Sequence, residues 1–121
     1  MQLKDFYTVN NVAVADNLAT ANITINKDHE IFKGHFPGNP VTPGVCMMQI
    51  IKELTEGVVG KKLMMQSSSN IKFMAIINPE QTPDLVLTLD ISETEEGYKV
   101  KNVTKFDQTV ALKLTSNFIE K

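Results

Sequence analysis

The stretch that decides the reading is GHFPGNPVTPGV, residues Gly34 to Val45. It holds one of the two histidines, three of the five prolines and three of the six glycines of the chain. Prolines 37, 40 and 43 fix φ and remove backbone donors, so the stretch is not regular structure. The residues before them are biased to extended conformations. The result is a stiff loop with few states to lose when a ligand binds. Pro43 suits the first turn of a helix, with Thr42 as its N-cap. A histidine on such a loop places a general base beside a helix N-terminus that attracts negative charge.

Downstream, the pattern from Pro43 to Gly57 or Gly60 is helical. Cys46, Met47, Ile50, Ile51, Leu54 and Val58 fall on one broad face, and Val45, Gln49, Lys52, Glu53 and Glu56 on the other. Gly57, Gly60 and Lys61-Lys62 are C-terminal signals. Upstream, Leu18 to Asn26 alternates as a half-buried strand, with Ala19, Ala21, Ile23 and Ile25 on one side. Residues 3–14 promise only a short extended element. Beyond the helix come a long, bent strand with a polar middle (63–77) and three shorter strands: Leu85–Ser92, Tyr98–Phe106 and Val110–Ile119. Turns at Glu95-Glu96-Gly97 and Asp107-Gln108 separate the last three. One helix with strands on either side makes an α+β domain spanning 1–121. The apolar helix face must pack on the sheet, which is the hotdog arrangement in outline. Composition and period do not single that fold out.

The 121 residues carry a net charge of −2, which argues against a nucleic-acid surface. The single cysteine, Cys46, cannot form an internal disulfide and reads as a buried, inert thiol. Cys and His are too few for a zinc site of the usual ligand count. No apolar run approaches the ~18 residues of a membrane span, and no signal peptide is visible, so the cytoplasm is expected. Five methionines, Met47, Met48, Met64, Met65 and Met74, suit an acyl tunnel or an ordinary core, the core being favoured for any single one. Lys33, Lys61, Lys62 and Lys72 suggest a patch for an acidic partner.

The pattern G-H-F-P-x-x-P-x-x-P-G-V resembles the signature of the 3-hydroxyacyl-[acyl-carrier-protein] dehydratases of the FabZ and FabA kind. His29 to Lys33 is similar to the segment that leads into that signature, and the strand order that follows is similar too. The resemblance covers essentially the whole chain. It implies a hotdog fold with one long central helix wrapped by an antiparallel sheet, and a homodimer or trimer of dimers. It implies no metal or organic cofactor, since the substrate rides on the phosphopantetheine of acyl carrier protein. The reaction implied is removal of water from a 3-hydroxyacyl thioester.

By the same resemblance His35 is the base, with an ordinary pKa near ~6.5 suited to proton transfer at neutral pH. Gly44 offers its backbone N–H to the thioester oxygen, as the free donors of a helix N-terminus allow. Phe36, Pro43 and Val45 line the substrate site. The third element departs from the family. Five positions beyond Gly44 the family places Glu or Asp, and this chain has Gln49; four positions further on, where Gln is common, it has Glu53. An amide donates a hydrogen bond but does not transfer a proton as a carboxyl group does. Residues i and i+4 lie about 6 Å apart on one helix face, so Glu53 is within reach as a substitute acid.

Three explanations of Gln49 stand open. The chain is a working dehydratase in which Gln49 positions a water or the substrate hydroxyl. It pairs as a heterodimer with a related subunit that supplies the acid. Or it is a non-catalytic, accessory subunit that only binds the acyl carrier. A hotdog thioesterase fits the motif less well.

Overall fold

The structure is a computed structural model that describes residues 4–33 and 41–121. Two strands, β1 (Tyr7–Ala15) and β2 (Leu18–Ile25), precede the helix α1 (Gly44–Val59). Four follow it: β3 (Leu63–Phe73), β4 (Asp84–Glu93), β5 (Gly97–Phe106) and β6 (Thr109–Glu120). They form one antiparallel sheet in the order β1-β2-β4-β5-β6-β3. The strand–helix–strand–strand pattern and the sheet order give the hotdog arrangement of a single long helix on a six-stranded antiparallel sheet.

The alternation read in β2 sets the inner face. Ala21 lies opposite Leu87, Leu87 opposite Thr104, and Thr104 opposite Leu112. All four are fully buried, so one row of side chains runs beneath the helix from β2 to β6. Met47, Ile50 and Ile51 of α1 belong to the same core and are equally buried. Burying each such side chain stabilises the fold by roughly 1.5–3 kcal/mol. Among the described residues the inner face also carries buried polar side chains, Ser116 with its hydroxyl 3.0 Å from that of Ser68, and Asn102 and Thr104. Asn102 Nδ2 donates to the Thr88 carbonyl at 3.2 Å, and Thr104 Oγ1 donates to Asn102 Oδ1 at 3.0 Å, so neither side chain is left without a partner.

Several expectations need correction. The first strand is nine residues long rather than a short element. Its alternation is hidden by a bulge, for the register slips between Val9 and Asn11. Val9 and Val12 therefore share the inner face although they are three positions apart. The long strand stops at Phe73. Its polar middle is irregular, with register shifts on both sides of Ser67–Ser69 and Asn70 at φ 53°. The helix starts at Gly44, with Pro43 as N-cap in extended conformation (φ −63°, ψ 145°) and no side-chain cap. Thr42 is thus not the cap. Its backbone N–H donates to the Ile77 carbonyl at 2.9 Å, and its buried Oγ1 has no partner among the described residues. The helix ends as read, with Gly60 left-handed at φ 72° and its N–H on the Glu56 carbonyl. Among the described residues no helix is long and apolar enough to cross a membrane.

Candidate active site

The start of α1 leaves backbone donors unpaired among the described residues. Cys46 and Met47 N–H both donate to the Pro43 carbonyl, at 3.0 and 3.3 Å. The N–H groups of Gly44 and Val45 find no acceptor among the described residues. They are the free donors that every helix start leaves, at the positive end of its dipole. Gly44 and Pro43 form part of the wall of a groove of about 490 Å³, completed by Val41, Thr42 and residues 73–77. Phe73, Met74 and Ile76 of that wall are apolar and exposed, Ile76 by 67%. The groove therefore suits an apolar chain whose polar end meets the helix N-terminus.

Val45 turns the other way, into a second groove of about 330 Å³ shared with Met48, Gln49, Lys52, Met64 and Met65. Gln49 and Glu53 are joined directly. Gln49 Nε2 donates to Glu53 Oε2 at 2.9 Å. Glu53 Oε1 accepts from the phenol of Tyr7 at 2.7 Å. Burial, and then the Glu53 carboxylate beside it, push the Tyr7 hydroxyl well above a phenol's ordinary range. Glu53 itself borders a third depression, with Glu56, Lys61 and Lys62, rather than either groove at the helix start.

The structure thus brings Gly44, Pro43, Val45, Gln49 and Glu53 onto the first turns of one helix and links the last two. It places Val45 and Gln49 in the second groove and Glu53 in the third depression, all apart from the groove that Gly44 and Pro43 wall. His35 and Phe36 lie outside the described residues. Tyr7 is the residue that sequence reasoning missed, because it meets Glu53 across 46 positions and no local pattern marks it.

The other histidine has a structural task. His29 Nδ1 accepts from the Ile31 N–H at 3.1 Å, so Nε2 carries the proton and donates to the Lys4 carbonyl at 2.9 Å. Its ring meets Phe6 edge-on, and Phe6 stacks on Phe32, which anchors the turn of 3₁₀ helix at Glu30–Lys33. Cys46 is buried, and burial raises its thiol pKa, as an inert core cysteine requires. Among the described methionines only Met47 is fully buried; Met64 and Met74 are exposed on the two grooves, against the expectation of core. Lys62 precedes β3 and Lys72 lies near its far end, about 30 Å away in extended chain, so the four lysines make no single patch.

Comparison with known proteins gives the family. Residues 11–113 match the family described as ApeI-like, ApeI dehydratase. The chain is 33% identical over 109 residues to the 3-hydroxyacyl-[acyl-carrier-protein] dehydratase FabZ of Lactobacillus helveticus, covering 84% of this chain and 72% of that protein. It is 36% identical over 80 residues to the FabZ of Oenococcus oeni, covering 60% of this chain and 56% of that protein. Among solved structures, the dehydratase heterocomplex ApeI:P from Xenorhabdus doucetiae superposes with a TM-score of 0.79 at 18% identity, over 93% of this chain and 97% of that one. At that identity the superposition speaks for the fold alone. The family match runs from β1 into β6 and a FabZ relative aligns over most of both chains, so the chain belongs to the ApeI-like dehydratases, within the FabZ-like hotdog group.

Proposed function

We propose that this protein dehydrates 3-hydroxyacyl thioesters carried on acyl carrier protein to trans-2-enoyl thioesters. The observation that carries the reading is the start of α1, where the Gly44 and Val45 N–H groups have no acceptor among the described residues and Gly44 is set in the wall of an apolar groove. The thioester oxygen is placed at the Gly44 N–H, where charge that develops as C2 loses its proton is stabilised. His35 takes that proton. Gln49, which lines the second groove, contacts the leaving hydroxyl from the other copy of a dimer, and His35 returns the proton to that hydroxyl. Phe36, Pro43 and Val45 flank the acyl chain. The reaction is a proton transfer with loss of water, and it calls for no metal or organic cofactor. Turnover of 3-hydroxyacyl and trans-2-enoyl carrier-protein thioesters by the purified chain tests the reading; interconversion of the two supports it, and release of free acid and thiol points to a thioesterase instead.

The reading includes a dimer. β3 is an edge strand with one free side. Met64 at one end of β3, Ile71, Phe73, Met74 and Ile76 at and beyond the other, and Val45 at the helix start are exposed apolar residues, with the polar residues 66–70 between the two ends. Exposed apolar side chains beside a sheet edge suit pairing with a second copy.

A second reading rests on the amide at Gln49. The similar solved structure is a heterocomplex, and a partner of that kind could supply a carboxylate that this chain lacks at position 49. The chain would then be an accessory subunit. Gln49→Glu separates the two. A large gain in turnover favours the accessory reading, and a loss favours a site built around the amide.

A further inference from the structure

Glu53 is held from two sides by groups on different elements. Tyr7 reaches it from β1 at 2.7 Å, and Gln49 reaches it from one turn earlier on α1 at 2.9 Å. A carboxylate oxygen accepts hydrogen bonds, so the Gln49 atom against it is the amide nitrogen. The Gln49 carbonyl oxygen is then the free end of that amide. It has no partner among the described residues, and Gln49 is part of the wall of the groove formed by Val45, Met48, Met64 and Met65. Lys52 and Lys121 also line this groove, but an ammonium group only donates, so the Gln49 carbonyl is the one side-chain oxygen it offers as acceptor, which makes the orientation of this amide decisive. The partly buried Tyr7 phenol keeps its proton and stays a donor, so nothing on the β1 side releases Glu53.

We infer that Tyr7 and Glu53 are positioning residues that lock the Gln49 amide with its carbonyl oxygen as the polar group offered to the ligand. The inference rests on the reading that Gln49 contacts the substrate at C3. A fixed carbonyl accepts the O–H of a 3-hydroxyacyl thioester. It has nothing to give a 3-oxoacyl thioester, whose ketone is also an acceptor, and the two oxygens would face each other unpaired. An amide free to turn would donate to the ketone instead. The lock therefore selects the hydroxy compound over its oxidised counterpart.

The test is competition between 3-hydroxybutyryl and 3-oxobutyryl pantetheine thioesters for the intact protein. The wild type is expected to prefer the hydroxy compound by roughly tenfold or more, the size of effect that an unpaired buried polar group produces. Glu53→Gln should bring the ratio close to one. Tyr7→Phe, the milder change, should lower it part of the way. Gln49→Ala should abolish the preference, and adding Glu53→Gln to it should change nothing further. Thermal melts confirm that each variant is folded. An undiminished preference in folded Glu53→Gln, or an equal effect of Glu53→Gln with and without Gln49, would overturn the inference while leaving the dehydratase reading intact. If the wild type binds and converts neither thioester, the dehydratase reading falls and the inference with it.

Discussion

The ring of Phe73 closes on the first residue of the helix: a Cβ placed on Gly44 would stand 2.7 Å from Phe73 Cζ. The contact is with the far end of an exposed side chain, so the ring can move aside. Alanine also suits a helix better than glycine, by about 0.5–1 kcal/mol. Gly44→Ala is therefore expected to melt within ~1 kcal/mol of wild type. Its methyl group would still crowd the N–H groups that the thioester must approach. Turnover and thioester affinity should fall while stability holds, as a denaturation curve and an activity assay on the same sample would show. Full activity in Gly44→Ala would remove the helix N-terminus from the mechanism.

Two glycine substitutions should move stability in opposite directions. A Cβ on Gly97 would overlap the Phe118 carbonyl oxygen and stand 2.8 Å from Ile119 Cα, and both are backbone atoms of the paired strand. Gly97→Ala should cost at least about 2 kcal/mol, because strands in register cannot step aside. Gly57 lies inside α1 with nothing within 4 Å of its Cβ position. Gly57→Ala should stabilise by about 0.5–1 kcal/mol. Urea midpoints for the two variants check both signs.

The Tyr7–Glu53 bond makes stability sensitive to alkaline pH. The folded-state pKa of Tyr7 is raised, so the folded protein holds this proton more tightly than the unfolded chain does. The contribution is complete below the unfolded value near ~10 and is lost as pH rises above it. Urea midpoints measured from neutral to alkaline pH should fall for the wild type and fall less for Tyr7→Phe. At neutral pH the same variant should lose about 1 kcal/mol for the missing hydrogen bond. Parallel curves would show that Tyr7 does not carry the effect.

Gln49→Glu places a second carboxylate against Glu53 Oε2, where the amide nitrogen now sits at 2.9 Å. Two carboxylates so close share a proton, and one folded-state pKa rises. The folded variant then binds more protons than its unfolded chain. Its stability relative to wild type should fall as pH rises from about 4 through the raised value and level off above it, by roughly 1–3 kcal/mol in all. A difference that does not change with pH would mean that the new carboxylate turns away to solvent.

Much of this architecture is written in local patterns. The alternation of Ala19, Ala21, Ile23 and Ile25 gave the inner face of β2, and the six-residue apolar face of α1 was right except that Val58 is only half-buried. Where the reading failed, the period was broken by something nonlocal. The bulge at Asn10 masks the alternation of β1, and the irregular Ser67–Asn70 segment masks that of β3. Thr42 has the composition of a cap, but its chain position is taken by a ladder-like bond to Ile77, and Pro43 holds the cap geometry instead. At the site, the resemblance marked Gly44 and Gln49 by their spacing along one helix. Tyr7 was invisible because its role depends on how β1 folds back to Glu53.

The central claim is chemical, and one assay reaches it most directly. The purified protein is mixed with a trans-2-enoyl thioester on acyl carrier protein, and the products are identified by mass. Addition of water to give the 3-hydroxyacyl thioester is expected, with the reverse conversion from that product and loss of both in His35→Ala. Release of free acid, or turnover that survives His35→Ala unchanged, would contradict it.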